Sequence, residues 1–153
     1  MQSDKQIGTL LLFLAIVFGG GFVIGTQTVP GEWYAGLIKP SFNPPNWVFA
    51  PVWSILYVFI AVAGWRTWRA AKSSKAMMVW FLQMALNFLW SPLFFAAEMP
   101  GLALMIILTL LCVVLVFIAL RWRQDRVSAA LFVPYAVWVG FASLLNAAIY
   151  SLN

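Results

Sequence analysis

Leu102 to Leu120 reads LALMIILTLLCVVLVFIAL, nineteen residues without a charge, a proline or a glycine. An α-helix rises 1.5 Å per residue and bilayer hydrocarbon is about 30 Å thick, so about 20 apolar residues cross it. Four further stretches share this character: 7–25, 47–65 with Pro51 near its start, 77–97 and 127–152. Together they leave no part of these 153 residues for a soluble domain. The expected fold is an all-α integral membrane protein. It is a single domain, 1–153, made of a five-transmembrane-helix bundle with a long lid-like first loop at 26–46.

Composition agrees. The chain is 64% hydrophobic and 8% charged, where a soluble domain carries about 25% charge. With four acidic residues, no His and one Cys, neither a Ser-His-Asp triad nor a His/Cys metal cage can be assembled. No catalytic set, metal site or intrinsic cofactor is expected, and Cys112 has no partner for an intrachain disulfide. The first apolar run exceeds the 7 to 15 residues of a signal peptide and no A-x-A site follows it, so it is read as a retained helix. Five spans without an internal repeat do not match the paired halves of many secondary transporters.

Charge sets the expected orientation. Eight of the nine Lys and Arg fall on one side: Lys5; Arg66, Arg69, Lys72 and Lys75; Arg121, Arg123 and Arg126. Lys39 alone falls on the other. By the positive-inside rule the N-terminus is cytoplasmic and the C-terminus outside, in a bacterial inner (plasma) membrane. Scattered among apolar runs, these cations read as membrane-flanking charge, and nucleic acid is not an expected partner.

The first loop, TQTVPGEWYAGLIKPSFNPPN, is stiffened by Pro30, Pro40, Pro44 and Pro45, and carries Trp33, Tyr34, Leu37, Ile38 and Phe42. Such a segment either packs as a lid, with short helical turns between Gly31 and Ile38, or rests its aromatics at the lipid interface. Nine tryptophans divide in the same way. Trp65, Trp68, Trp80 and Trp122 beside the basic ends, with Trp33 and Trp47 at the outer edge, read as interfacial belts. Trp53, Trp90 and Trp138 fall about 10 to 18 Å below the outer ends of their helices, too deep for a belt.

Spacing groups the deep residues into faces. Trp53, Tyr57 and Ala61 share one; Gln83, Asn87, Trp90 and Phe94 share another; Tyr135, Trp138, Ala142 and Asn146 share a third. Each stripe is either packing between helices, with Asn87 and Asn146 satisfying one another or backbone freed by Pro92 and Pro134, or the wall of a cavity. Large aromatics, one small residue and uncharged polar groups at a common depth beneath an aromatic loop suit a pocket for a flat, greasy molecule.

The runs WYAGLIKPSFNPPNWVFAPVWSILY (33–57), NFLWSPLFF (87–95) and FVPYAVWVGFASLLN (132–146) resemble the TspO/MBR family, the tryptophan-rich sensory proteins related to the mitochondrial translocator protein once called the peripheral benzodiazepine receptor. The resemblance covers essentially the whole chain. It implies a homodimer whose pocket, closed by the first loop, takes porphyrins and, in animal members, cholesterol. It maps that pocket to Trp33, Tyr34, Pro44, Trp53, Asn87, Trp90, Trp138 and Ala142. Some bacterial relatives promote light-dependent protoporphyrin breakdown, which places possible photo-oxidation at Trp53 and Trp138. The resemblance therefore implies a membrane sensor or binding protein for tetrapyrroles, with a transporter of tetrapyrroles or sterol-like lipids as the alternative. The C-terminal cholesterol pattern of animal members lacks its cation here, because Ser151, Leu152 and Asn153 follow Tyr150. Asp4, Glu32, Glu98 and Asp125 all sit at ends or in loops, so proton coupling through an intramembrane carboxylate is not expected.

Overall fold

The apolar runs become helices that continue past their own ends. In the computed structural model, which describes residues 2–153, α1 spans Gln2–Gln27, α3 Phe49–Ala70, α4 Lys75–Ser91, α5 Pro100–Trp122 and α6 Arg126–Leu152. A short α2, Glu32–Gly36, lies in the first loop, and a 3₁₀ turn at Asn46–Val48 leads into α3. Five helices are long and apolar enough to cross a membrane. The extra turns lie mostly at the basic ends, where Arg66 and Arg69 extend α3: Arg is a good helix former, and hydropathy registers only the part inside hydrocarbon.

Neighbours pack as α5 on α6, α4 on α5, α1 on α3 and α3 on α6. Phe13 and Val17 of α1, Ile60 of α3, Trp80 of α4, Val114 and Phe117 of α5, and Phe132 and Val139 of α6 fill the centre. Phe117 and Phe132 lie 4.0 Å apart between centroids. The outside is as apolar as the inside, with Leu11, Ile55, Met78, Met105, Val137 and Leu144 all exposed. Such a surface would aggregate in water and is solvated by lipid, so the chain is an integral, multi-pass membrane protein.

Trp80 is not an interfacial belt residue. It is wholly buried, and its Nε1 donates to the Ile60 carbonyl at 2.9 Å. Gly64 of α3 makes the room: a Cβ there would sit 2.4 Å from Trp80 Cε2. The small residues of α1 act likewise within the chain, Gly21 receiving the Tyr57 ring and Gly20 that of Phe88, while Gly25 and Gly140 face open space.

The basic segments gather at one end of the bundle. Arg66 holds Asp125 through Nε at 3.0 Å and Nη2 at 2.9 Å, and buried Arg121 adds a contact at 3.4 Å. Asp125 also caps α6, accepting from the Ser128 backbone N–H and hydroxyl. Two of the eight basic residues are thus committed to one carboxylate that joins α3, α5 and α6. The Arg66 guanidinium, with Ser128, holds the Asp125 carboxyl well below the usual carboxylate range. A carboxyl depressed on folding stabilises the protein above its unfolded pKa of about 3.9, and that stability is lost as pH falls through the lower native value. The thermal midpoint in detergent is therefore expected to hold down to about pH 5 and to decline below about pH 4. Asp125→Asn should lower the plateau and flatten that decline; an unchanged profile would show that the cluster contributes nothing.

Candidate ligand-binding cavity

The first loop folds down as a lid over the ends of the helices opposite the basic segments. Lys39, the cation set apart in the charge pattern, turns back on α2: its Nζ donates to the carbonyls of Tyr34 at 2.6 Å, Ala35 at 3.3 Å and Leu37 at 3.3 Å, and lies 4.6 Å from the Tyr34 ring centroid. It thereby satisfies the carbonyls that a five-residue helix leaves open. Asn153 clamps the next residue from both sides, accepting from Ile38 N at 2.9 Å and donating to Ile38 O at 3.1 Å. Burial pushes the Tyr34 phenol up, so it stays protonated beneath the lid.

The ceiling is set by a π-turn. Pro92 has no N–H to continue the helical ladder, and the chain closes instead through Ala97 N to Pro92 O at 2.8 Å. This places Phe94, 2% exposed, inside an aromatic box: Trp90 stacks on it at 5.5 Å and 29°, with Trp33 at 5.9 Å, Tyr34 at 6.2 Å and Phe95 at 4.8 Å.

Below lies a cavity of about 780 Å³, within the roughly 300–1,000 Å³ range of small-molecule sites. Of the residues proposed from sequence, Tyr34, Trp53, Tyr57, Asn87, Trp90, Ala142 and Asn146 line it together. The other four stand outside the lining. Tyr135 is buried beneath, its ring 6.3 Å from Trp53. Trp138 lies behind Phe49 at 5.8 Å, its indole N–H buried without a hydrogen-bond partner among the described residues. Trp33 covers Phe94 from the loop side, and Pro44 sits between the lining residues Asn43 and Asn46.

The polar groups form a braced frame. Asn87 Nδ2 donates to the Tyr135 hydroxyl at 2.9 Å, which donates to Gln83 Oε1 at 2.9 Å. Trp90 Nε1 donates to Asn146 Oδ1 at 3.1 Å, and Asn146 Nδ2 to the Pro100 carbonyl at 2.8 Å. Asn87 and Asn146 thus bond other helices and not one another. Thr28 gives its hydroxyl proton to Ile24 O, so Ser91 donates to Thr28 at 2.8 Å and ties the residue just past α1 to the end of α4. On the helices the frame leaves Asn87 Oδ1 and the Tyr57 hydroxyl without a hydrogen bond among the described residues, and in the loop Asn43 Oδ1 and the Asn46 side chain are likewise unengaged. Walls of Trp53, Phe88, Phe94 and Leu145 supply the rest.

A side of the cavity that the stripes do not reach comes from α1 and the residue that follows it: Phe18, Gly21, Phe22, Gly25 and Thr28 line it. α1 carries no polar residue in its middle to mark a face, but Phe18, Gly21, Gly25 and Thr28 do follow 3, 4, 3 spacing, a signal of small residues on one side. Phe22 is 73% exposed, and Ala50 and Ser54 opposite it on α3 are exposed too. The cavity therefore opens laterally between α1 and α3, toward the lipid.

Fold and site define a multi-pass helical membrane protein built around an apolar cavity under a folded loop. The chain belongs to the TspO/MBR family, whose sequence pattern matches residues 10–152. It is 40% identical over 155 residues to the tryptophan-rich protein TspO of Archaeoglobus fulgidus, the match taking in 100% of this chain and 99% of that one. It is 34% identical over 143 residues to the tryptophan-rich sensory protein of Cereibacter sphaeroides, across 94% and 90% of the two chains. Translocator protein of Homo sapiens is 33% identical over 141 residues, 87% of this chain and 83% of that protein.

Proposed function

We propose that the cavity binds a tetrapyrrole such as protoporphyrin IX or a heme-like porphyrin, and that the protein senses or regulates the level of such flat hydrophobic molecules. The observation that carries this reading is the pairing of about 780 Å³ of aromatic-walled space with a few unengaged polar groups, under a braced lid. A planar macrocycle gains area against Trp53, Trp90 and Phe94, and polar groups such as Asn87 Oδ1 and the Tyr57 hydroxyl fix its orientation. The test is titration of protein in lipid nanodiscs with protoporphyrin, read by tryptophan quenching. Saturable quenching supports the assignment, and linear quenching overturns it.

Passage of tetrapyrroles or sterol-like lipids is the second reading, favoured by the lateral opening between α1 and α3. Ligand flux through protein-containing liposomes above that of empty ones would favour it over sensing alone. A homodimer, in a bacterial inner membrane with the N-terminus cytoplasmic and the C-terminus outside, completes the proposal, on the family resemblance and on the eight basic residues. Crosslinking in bilayers that yields only monomer, or a C-terminal reporter active in the cytoplasm, would refute those parts.

Light-driven breakdown of the bound porphyrin is a separable activity. Trp53 lines the cavity and Trp138 lies one layer back behind Phe49, so an excited ligand meets Trp53 first. Under illumination Trp53→Phe is expected to slow porphyrin loss more than Trp138→Phe, with binding retained in both. Stacking on one ring contributes about 0.5–1.5 kcal/mol, and Phe keeps most of it. Equal photodegradation by both variants and the parent would leave binding as the cavity's whole role.

A further inference from the structure

A second concave site lies at the basic end of the bundle, far from the lid. Lys5, Gln6 and Thr9 of α1 and Trp68, Arg69 and Lys72 at the end of α3 line a groove of about 410 Å³. Its walls are pinned. Trp65 Nε1 donates to the Gln6 carbonyl at 3.1 Å, and Phe13 meets the Trp68 ring edge-on at 6.1 Å. Two of the cations are held on indole faces, Arg69 at 4.8 Å over Trp65 and Lys72 at 5.4 Å over Trp68. Asp4, in the first turn of α1, does not line the groove, and the ion pairs of Asp125 use Arg66 and Arg121 instead. The groove thus presents three cations and the Gln6 amide to one space.

We propose that this groove binds the phosphate of an anionic glycerophospholipid headgroup. Three hydrogen-bond-donating cations in one concavity match a phosphate, with the planar Arg69 guanidinium suited to two of its oxygens. The lipid, as the source of that phosphate, follows from what lies beside it. Lys5, Thr9, Leu12 and Ile16 follow 4, 3, 4 spacing on one face of α1, and Leu12 and Ile16 are exposed, so the groove opens onto an apolar stripe that suits acyl chains. Tryptophans at its rim match the headgroup level of a bilayer. Basic pockets between helix ends are a recognised mode of headgroup binding, distinct from the diffuse attraction that all eight basic residues exert.

The test is native mass spectrometry of the full chain with phosphatidylglycerol or phosphatidylcholine. The triple variant Lys5→Gln/Arg69→Gln/Lys72→Gln is compared with Lys75→Gln/Arg123→Gln/Arg126→Gln, which removes equal charge outside the groove. The expected result is about a tenfold or greater loss of retained phosphatidylglycerol in the groove variant, less than about twofold in the other, and no displacement by excess inorganic phosphate. Lys5→Gln alone, on the exposed first turn, should show part of the loss if the triple variant does not fold. Equal losses in the two triple variants, equal retention of phosphatidylcholine, or displacement of the lipid by inorganic phosphate would each overturn the assignment. None of these outcomes depends on what the lid-side cavity binds.

Discussion

Ala142→Phe is expected to remove saturable protoporphyrin quenching, with affinity falling by at least about tenfold, or about 1.4 kcal/mol. Ala142 is 7% exposed and lies on the α6 wall of the cavity, two turns from Tyr135 and one from Asn146. That wall does not recede, because Asn146 is bonded to Trp90 and to Pro100 O, and Tyr135 to Asn87 and Gln83. A ring added there therefore occupies space that a ligand needs. Val137→Phe, on the lipid-facing side of the same helix, is the control and should bind as the parent does. Quenching that saturates equally in parent and Ala142→Phe would take the ligand out of this cavity.

The largest effect on stability is expected at Gly64. A Cβ there meets Trp80 at 2.4 Å from Cε2 and 2.6 Å from Nε1. Trp80 is held by the Ile60 carbonyl and by Phe13 at 5.0 Å, so it has no cheap way to yield. Overpacking of this kind costs about 1–3 kcal/mol, and Gly64→Val adds two methyl groups beyond the first clash. Its thermal midpoint in detergent should drop sharply, with little folded protein recovered, whereas Gly140→Val, whose Cβ meets nothing within 4 Å, should stay within about 0.5 kcal/mol of the parent. Equal behaviour of the two variants would mean that Trp80 is not the residue locking α3 to α4.

What could be read from the sequence and what could not divide along a physical line. Five spans were legible because membrane crossing is a matter of composition over about 20 residues, which any window registers. That the loop's aromatics would leave water could be anticipated, either under a lid or at the lipid interface; the structure buries Tyr34 and leaves Ile38 and Phe42 exposed. Trp80 could not be placed, since what distinguishes it from a belt tryptophan is Gly64 on another helix, and no local pattern records that pairing. Six of the eight site residues proposed on helix stripes meet around the cavity because period-3.6 spacing identifies a face, and Tyr34, implied by the resemblance, joins them from the loop. It does not say how far a side chain reaches past its neighbours. Trp138 shares the face of Ala142 yet lies behind Phe49, and Tyr135 is capped by Trp53. Phe94, spaced four residues from Trp90, does lie with it and Asn87 on the cavity, although the widened turn after Pro92 is not itself recorded by the spacing.

That widened turn is also an accounting of residues. From Pro92 to Ala97 the chain spends one residue more than an α-helical turn requires. A single deletion between 92 and 96 would let the helix close with ordinary hydrogen bonds, turning the side chains within the segment, Phe94 and Phe95, about its axis while the residues on either side keep their register. The more regular helix would carry its aromatic side chains away from Tyr34 and Trp33 and leave the lid without its seat. In this segment, change by length acts on the ligand and change by side chain acts on packing, so insertions and deletions here are constrained separately from substitutions.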